Sequence, residues 1–536
     1  MSIIRSLACG IGVQFCRLFG SLSYMNIKHF IFAASLVLGC ALYAESISRV
    51  VITPPGADLQ AVLDAGQDLC LEQSAVYEID KALVFKFEGQ SITTYAPKSL
   101  DDYAILRITN RDLGQLIDGN QMDGVRIEHL LLDGNRYRLS DLAKKISTQP
   151  LVFFGGSGAE RQIVRACIFI GPRTWSTLKV HEGGSDILVE NNIFFGAGSD
   201  VRGNGREGVE NPHLDGRSWG DGISCAAQRT TVRNNLIIDS TDVGMVFFGA
   251  PGSISDGNVI ATVSRESLGG INLVDPLKYW AFDEDPKSID YRGVIIKNNW
   301  IDARGARIHM GIPVGATPWV PSKRGFTFVG GTVENNRFTG GAAAYSIVLN
   351  GIRNFTVKGN QSTALYSGIA EGFGPKNRPD EPIAFAYDPD AVADSEIQPE
   401  FEPMKRHLNH LLRCNHAPLN YMGYRYYPYG VHEVVAVVDT AFEEMLGRLP
   451  DAAQRTHYTS WLQATKSNAD QLRHLLMAKP EFIERHGYHN PDGLQLFREK
   501  LWLEAISSSF QGLTDNIQHW PAAAELYKGA WAVIKS

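Results

Sequence analysis

The stretch "GDGISCAAQRTTVRNNLIIDSTDVGMVFFG", residues 220–249, decides the fold. It carries two short apolar runs on either side of Asn234–Asn235, then a third run that opens on Asp242 and Gly244. The runs are too short for an amphipathic helix and read as strands. Asparagine suits the turn between them because it tolerates left-handed backbone angles.

The same grammar recurs outward from this stretch. It appears in "DGVRIEHLLLDGN" from 123, "RQIVRACIFIG" from 161, "SDILVENNIFFGAG" from 185 and "GSISDGNVIATV" from 252. It returns in "RGVIIKNNWIDARG" from 292, "GGTVENNRFTGG" from 330 and "RNFTVKGNQSTA" from 353. The second turn position falls at Leu130, Cys167, Asn192, Asn235, Asn258, Asn299, Asn336 and Asn360, at spacings of 37, 25, 43, 23, 41, 37 and 24. The short spacings fit one coil of a solenoid, and the longer ones fit coils carrying a loop. Stacked asparagines can hydrogen-bond from coil to coil, so the Asn pairs read as scaffold.

A further strand precedes each Asn turn: "TLKVHEG" from 177, "DGISCA" from 221, "DVGMVFF" from 242, "GGINLVD" from 269, "RIHMGI" from 307 and "YSIVLN" from 345. These predict one parallel sheet with side chains alternating in and out. The three longest insertions, 198–219, 275–291 and 314–329, all border that sheet and are expected to build a groove over it.

The Asn-turn coils and the "WGDGIS" and "DVGMVFFGAPGS" strands resemble the pectin-lyase-like right-handed parallel β-helix superfamily over about residues 50–415. "PPGADLQAVLDAGQDLCLEQSAVYEIDKALVF" from 54 resembles its N-terminal cap. The resemblance implies an all-β solenoid over 45–425. It also implies a polysaccharide as partner: members are mostly polysaccharide lyases, hydrolases and uronate epimerases, beside non-catalytic adhesins and tail spikes. The Asn-Thr-Asp, Asp-Asp, Gly-His-Gly and Arg-Ile-Lys boxes of polygalacturonases are absent in order, as is the Asp-Pro-His box of alginate epimerases; "NPHLDG" at 211 only approximates the latter.

From about 426 to 536 the pattern turns helical, with apolar residues at three-four spacing; residues 400–415 also read as helical. Leu446, Gly447, Arg448, Pro450, Asp451 and the later "KPEF" resemble a helical module of unknown function that recurs in secreted bacterial proteins, distantly similar to phycobilisome linker repeats. The resemblance implies attachment to a protein or cell-surface partner.

Chemistry is sought on the predicted sheet. With Leu178 and Val180 inward, Lys179 and His181 face out; with Ile308 and Met310 inward, Arg307 and His309 do so. Counting three coil spacings puts the two pairs about 14 Å apart. Uronate elimination and C5-epimerisation both need a base for the C5 proton and positive charge for the carboxylate, so Lys179, His181 and His309 are candidate catalysts. Arg265, Asn272 and Arg307 are candidate substrate binders, the two arginines for carboxylate, with Asp275 nearby. Asp221 and Asp242 open neighbouring strands and are the candidates for the alternative of a glycoside hydrolase with paired carboxylates. Their offsets from the turn differ, 13 residues to Asn234 against 15 to Gly257. His213, Asp215, Arg217 and Trp219 can form a groove wall, and Trp175, Trp219, Tyr279 and Trp280 can stack on sugar rings. "DPLKYWAFDEDP", with Asp275, Asp283, Glu284 and Asp285, leaves Ca²⁺ open as a cofactor, although its spacing matches no standard calcium loop. A third reading is a glycan-binding or surface-assembly protein without catalysis.

Composition narrows the classes. With 52 glycines, 10% aromatics and a formal charge of −7 in 536 residues, the chain is neither disordered nor coiled coil. No basic run supports a nucleic-acid partner. "MNIKHFIFAASLVLGCALYA", residues 25–44, has the charged start, apolar run and small residue of a secretory signal. Met25 is an alternative start, and "VLGC" weakly resembles a lipoprotein box. The expected location is secreted, periplasmic or cell-surface. Cys70, Cys167, Cys225 and Cys414 lack C-x-x-C spacing and read as buried structural residues, with one disulfide left open.

Overall fold

The computed structural model describes most of residues 50–403, with gaps at 140–148, 199–219, 263–266, 274–280, 283–284, 304–307, 316–317, 319–324, 341–342, 365–369 and 372–383. Beyond these it describes 420–421, 431–465 and isolated positions up to 485. The segment 25–44, Cys414, nearly all of the 198–219 insertion and about half of each of the other two lie outside the described residues.

The repeat is realised as a right-handed parallel β-helix. Each coil adds one short strand to each of three sheets, of twelve, ten and eleven strands. In the opening stretch, Asp221–Cys225 joins the eleven-stranded sheet, Thr231–Arg233 the twelve-stranded and Leu236–Ile238 the ten-stranded. Val243–Phe247 then returns the chain to the first. Neighbouring coils pair in parallel, as in Thr231↔Ile254 and Leu236↔Val259.

The two turn positions divide the work. The first takes the left-handed conformation: φ is 58° at Asn191, 53° at Asn234, 55° at Asn298 and 55° at Asn335. The second is buried and builds a ladder through Asn192, Asn235, Asn258, Asn299, Asn336 and Asn360, each Nδ2 donating to the next Oδ1 over 2.9–3.0 Å. Each rung's oxygen also accepts a backbone N–H, as in Asn235 N to Asn258 Oδ1 at 3.0 Å. The ladder starts one coil earlier, where Cys167 N donates to Asn192 Oδ1 at 2.9 Å.

It ends on Gln398, whose Oε1 accepts from Asn360 N (2.9 Å) and Nδ2 (3.1 Å). Gln398 borders a cleft lined by Lys358, Gly359, Glu396 and Ile397, so water can reach the orphaned groups if it is removed. Gln398→Ala is therefore expected to cost about 1–2 kcal/mol, the lower part of the range for a lost buried partner. Urea unfolding checks this; no change in midpoint would show that the terminal rung is dispensable.

Apolar side chains fill the interior. Phe169 and Phe194 of adjacent coils stack with ring centroids 4.5 Å apart, and Tyr291 stacks on Phe328 at 4.7 Å. Cys70, Cys167 and Cys225 are buried free thiols, and burial pushes Cys167 and Cys225 up to about 12.

Two local readings change. Part of the 275–291 insertion is a strand, Asp285–Asp290, which with Thr327–Val329, Ile352–Arg353 and Val392–Ala393 builds a further small sheet in the later coils. Glu402 and Pro403, expected in a helix, instead close the eleven-stranded sheet as its last strand.

In the C-terminal region Val431–Leu446 and Ala452–Thr465 are helices with their own core, including Val434, Val438, Phe442, Met445, Tyr458 and Leu462. Gly447 ends the first at φ 69°. Asp451 opens the second by accepting from Gln454 N at 2.7 Å. Between them, Arg448 Nη2 donates to both Glu481 carboxylate oxygens at 2.8–2.9 Å, which ties the turn to a residue beyond the second helix.

Candidate active site

The eleven-stranded sheet carries the candidate residues, and glycines shape it. A Cβ built on Gly222 would lie 2.7 Å from Ile237, on Gly244 2.6 Å from Ile260 and on Gly311 2.5 Å from Phe338. These glycines therefore face the interior, beside core residues Ile223, Met245 and Ile312. Two successive inward positions break the strand's alternation. As a result, residues three apart can share the outer face: Ser224 Oγ donates to Asp221 Oδ2 at 2.6 Å and lies 2.8 Å from Ser176 Oγ on the previous coil.

Register then aligns an outer row across the coils: Phe153, Lys179, Ser224, Val246 and Asn272. His181 lies two residues beyond Lys179 on the same strand, Ser176–His181, opposite Gly155.

Lys179 is nearly buried, with its ammonium 4.7 Å from the Phe248 ring centroid and 5.6 Å from that of Trp175. The aromatic faces stabilise the cation in this enclosed place. Its neighbour His181 is half-buried, tilted against Phe153 with centroids 5.2 Å apart, and its Nδ1 lies against the Glu182 carboxylate. Burial holds the His181 imidazole below its usual value, and the Lys179 charge pushes the same way against the opposing pull of Glu182. The imidazole is thus uncharged at neutral pH while a cation stands beside it.

Several expectations change here. Strands 221–225, 243–247 and 267–272 lie between those of His181 and His309, so four spacings, about 19 Å, separate the two histidines rather than three. His309 is only 2% exposed, not displayed to solvent. Asp221 aligns with Val243 when the Ile223↔Met245 register is carried back two positions, which leaves Asp242 one residue out of step. Arg265, Arg307, Trp219 and Tyr279 lie outside the described residues, as do His213, Asp215, Arg217, Asp275, Trp280, Asp283 and Glu284. Asp285 accepts from Ser288 Oγ (2.7 Å) and Lys287 N (2.9 Å). Among the described residues no three His, Cys, Asp or Glu side chains gather as a metal site.

Phe153, Phe248 and Glu182 escaped sequence reading. Alternation along "LVFFGG" could have placed Phe153 beside Lys179, whereas the approach of Phe248 from two coils on depends on loop lengths.

The chain is similar in fold to several solved structures. Endo-xylogalacturonan hydrolase from Aspergillus tubingensis matches at 11% identity and TM-score 0.40, over 66% of this chain and 95% of that one. A tailspike protein of an E. coli bacteriophage matches at 11% and 0.45, over 67% and 64%. The A-module of a mannuronan C-5 epimerase from Azotobacter vinelandii matches at 12% and 0.33, over 64% and 94%. No protein-family profile matches the sequence, and no curated protein is similar to it.

Proposed function

We propose that the chain is an exported protein that acts on a uronic-acid-containing polysaccharide, by lyase or C5-epimerase chemistry on the outer face of the eleven-stranded sheet. The observation that carries this reading is the pairing of an uncharged His181 with the Lys179 cation on one outward face. A uronate C5–H is acidified only as its carboxylate takes up charge, so base and cation must act together.

With an Nδ1–H directed at Glu182, Nε2 keeps the lone pair and takes the C5 proton. Lys179 offsets the charge that builds on the carboxylate. In elimination the C5 electron pair forms the C4–C5 double bond, the C4–O bond breaks and the leaving oxygen takes a proton from water or from the now protonated His181. In epimerisation water delivers a proton to C5 from the opposite face, and His181 gives the abstracted proton back to solvent. Phe153, half-buried beside both groups, offers a platform for the apolar face of a sugar ring. The hydrolase alternative is less favoured because Asp242 is out of step with Asp221.

The test incubates the protein with a panel of uronic-acid polymers. Ultraviolet absorbance from unsaturated ends supports the lyase form, and exchange of the C5 proton without cleavage supports the epimerase. New reducing ends without that absorbance would replace the reading with hydrolysis. Silence in all three assays, with retention on a glycan column, would replace it with binding alone.

Glu182→Gln gives a check on sign. The carboxylate raises the His181 value, so its removal lowers that value further. The acidic limb of the pH profile of kcat/KM is expected to move to lower pH, because the neutral base then survives further into acid. A limb that moved upward would exclude His181 as the titrating base.

A further inference from the structure

The twelve-stranded sheet keeps its outer face open where the ten-stranded sheet does not. On the ten-stranded sheet the outward positions Ile168, Ile193, Leu236 and Val259 are at most 1% exposed. On the twelve-stranded sheet the corresponding Ile163, Leu188, Ile254 and Ile295 stay half-buried, with Thr231 between the second and third, while Val189 and Val232 point into the core. Two positions along each strand a charged row runs beside this apolar one from Glu128 to Lys358, one residue per coil over eight coils, its sign changing at every step. Seven coil spacings make the face about 34 Å long.

The charged row limits what can cover this face. Its signs cancel, so a uniform polyanion or polycation meets as much repulsion as attraction along it. A complementary partner needs alternating charge at the same spacing of about 4.8 Å, beside an apolar row. This chain carries such a surface itself. We propose that the face binds a second copy of the chain with the two helix axes antiparallel, related by a twofold axis that runs along the strands, between the coils of Arg233 and Asp256. That operation reverses the order of the coils and sets each row against its own kind. Arg233 then meets Asp256 of the partner subunit, and Glu190 meets the partner's Lys297. Further out, Arg165 meets the partner's Glu334 and Glu128 the partner's Lys358. In the apolar row Leu188 meets the partner's Ile295, and Thr231 the partner's Ile254. Every charge faces its opposite, whereas parallel axes would set each charge against its own copy or against the apolar row. The two rows cover about 34 Å by 10 Å, less than the roughly 800 Å² per partner of a standard interface, so the dimer is weak and reversible. The eleven-stranded face stays free in it, so the proposal stands independently of the polysaccharide reading.

Sedimentation equilibrium of the full chain tests the dimer. The wild type is expected to associate with a Kd of about 10–100 μM, weakened severalfold in about 0.5 M salt. Leu188→Glu and Ile295→Lys each set a charge against an apolar residue of the other copy and are each expected to weaken self-association at least about tenfold. Mixed in equal amounts, the two variants are expected to form a heterodimer within about threefold of wild-type affinity, because antiparallel axes bring the introduced carboxylate against the introduced ammonium. Such rescue also shows that both variants are folded, and parallel axes would not produce it. If circular dichroism shows either variant unfolded, Thr231→Glu with Ile254→Lys, the central pair of the same row, takes their place. A wild type that stays monomeric up to about 200 μM would overturn the proposal. So would single variants that dimerise as the wild type does, or folded variants that show no rescue on mixing.

Discussion

His181→Ala is expected to lower kcat on the responsive uronate polymer by about a thousandfold, within the range that a positioned general base supplies. KM is expected to change far less, because the imidazole acts on the proton and does little to hold the chain. The pH profile adds a second signature. His181 is held below its ordinary value by burial and by Lys179, so the wild-type acidic limb falls below the usual histidine range, and the variant's residual activity loses that limb. Lys179→Ala behaves differently: it removes charge from both bound carboxylate and transition state, so KM rises while kcat falls. Circular dichroism must show both variants folded, which their place on the outer face favours. If His181→Ala kept activity within about threefold of wild type, His181 would not be the base and the proposed chemistry would need another.

The coil pattern was legible because two constraints act on each Asn turn: a left-handed backbone, and a side chain that both donates and accepts. Few residues meet either, so the pattern survives even where Gly257 and Gly359 take the first position. Gln398 carries the same amide but stands outside the Asn-turn pattern, so its place as the last rung is visible only in the bonds it accepts from Asn360. The outer face was harder to read. Simple alternation placed Lys179 and His181 on one side of their strand, but it fails at Gly222, Gly244 and Gly311, where the chain turns a corner inside the strand. That corner brings Asp221 and Ser224 together although they are three residues apart. Contacts between coils, such as Phe248 on Lys179, depend on how many residues each loop consumes, and no local rule encodes that.

One regularity was present in the sequence and went unread. The residue before each Asn turn alternates in charge, and register stacks these positions as Glu128, Arg165, Glu190, Arg233, Asp256, Lys297, Glu334 and Lys358. Opposite charges meet at each of the seven boundaries between these eight coils of the twelve-stranded sheet. A slip of one coil would put like charge on like, so the row helps to specify which coil follows which.

Glu190 is its most enclosed carboxylate, 6% exposed and held by Arg165 Nε at 2.6 Å and Arg233 Nε at 2.7 Å. Despite the opposing effect of burial, the two arginines hold it below the usual carboxylate range. Glu190→Lys would set three cations in succession with one of them desolvated. The expected cost is about 4 kcal/mol, comparable to breaking a buried ion pair. Glu190→Gln, which keeps shape and hydrogen bonding, is expected to cost about half of that. The sign of the pH dependence follows from the lowered value. The carboxylate contributes stability in full above its ordinary value of 4.5 and loses it as pH falls through the lower folded value. The gap in urea midpoint between wild type and Glu190→Gln should therefore be wide at neutral pH and close in acid below that value. A gap that did not change with pH would mean that Glu190 acts through packing and that the alternating row is incidental to stability.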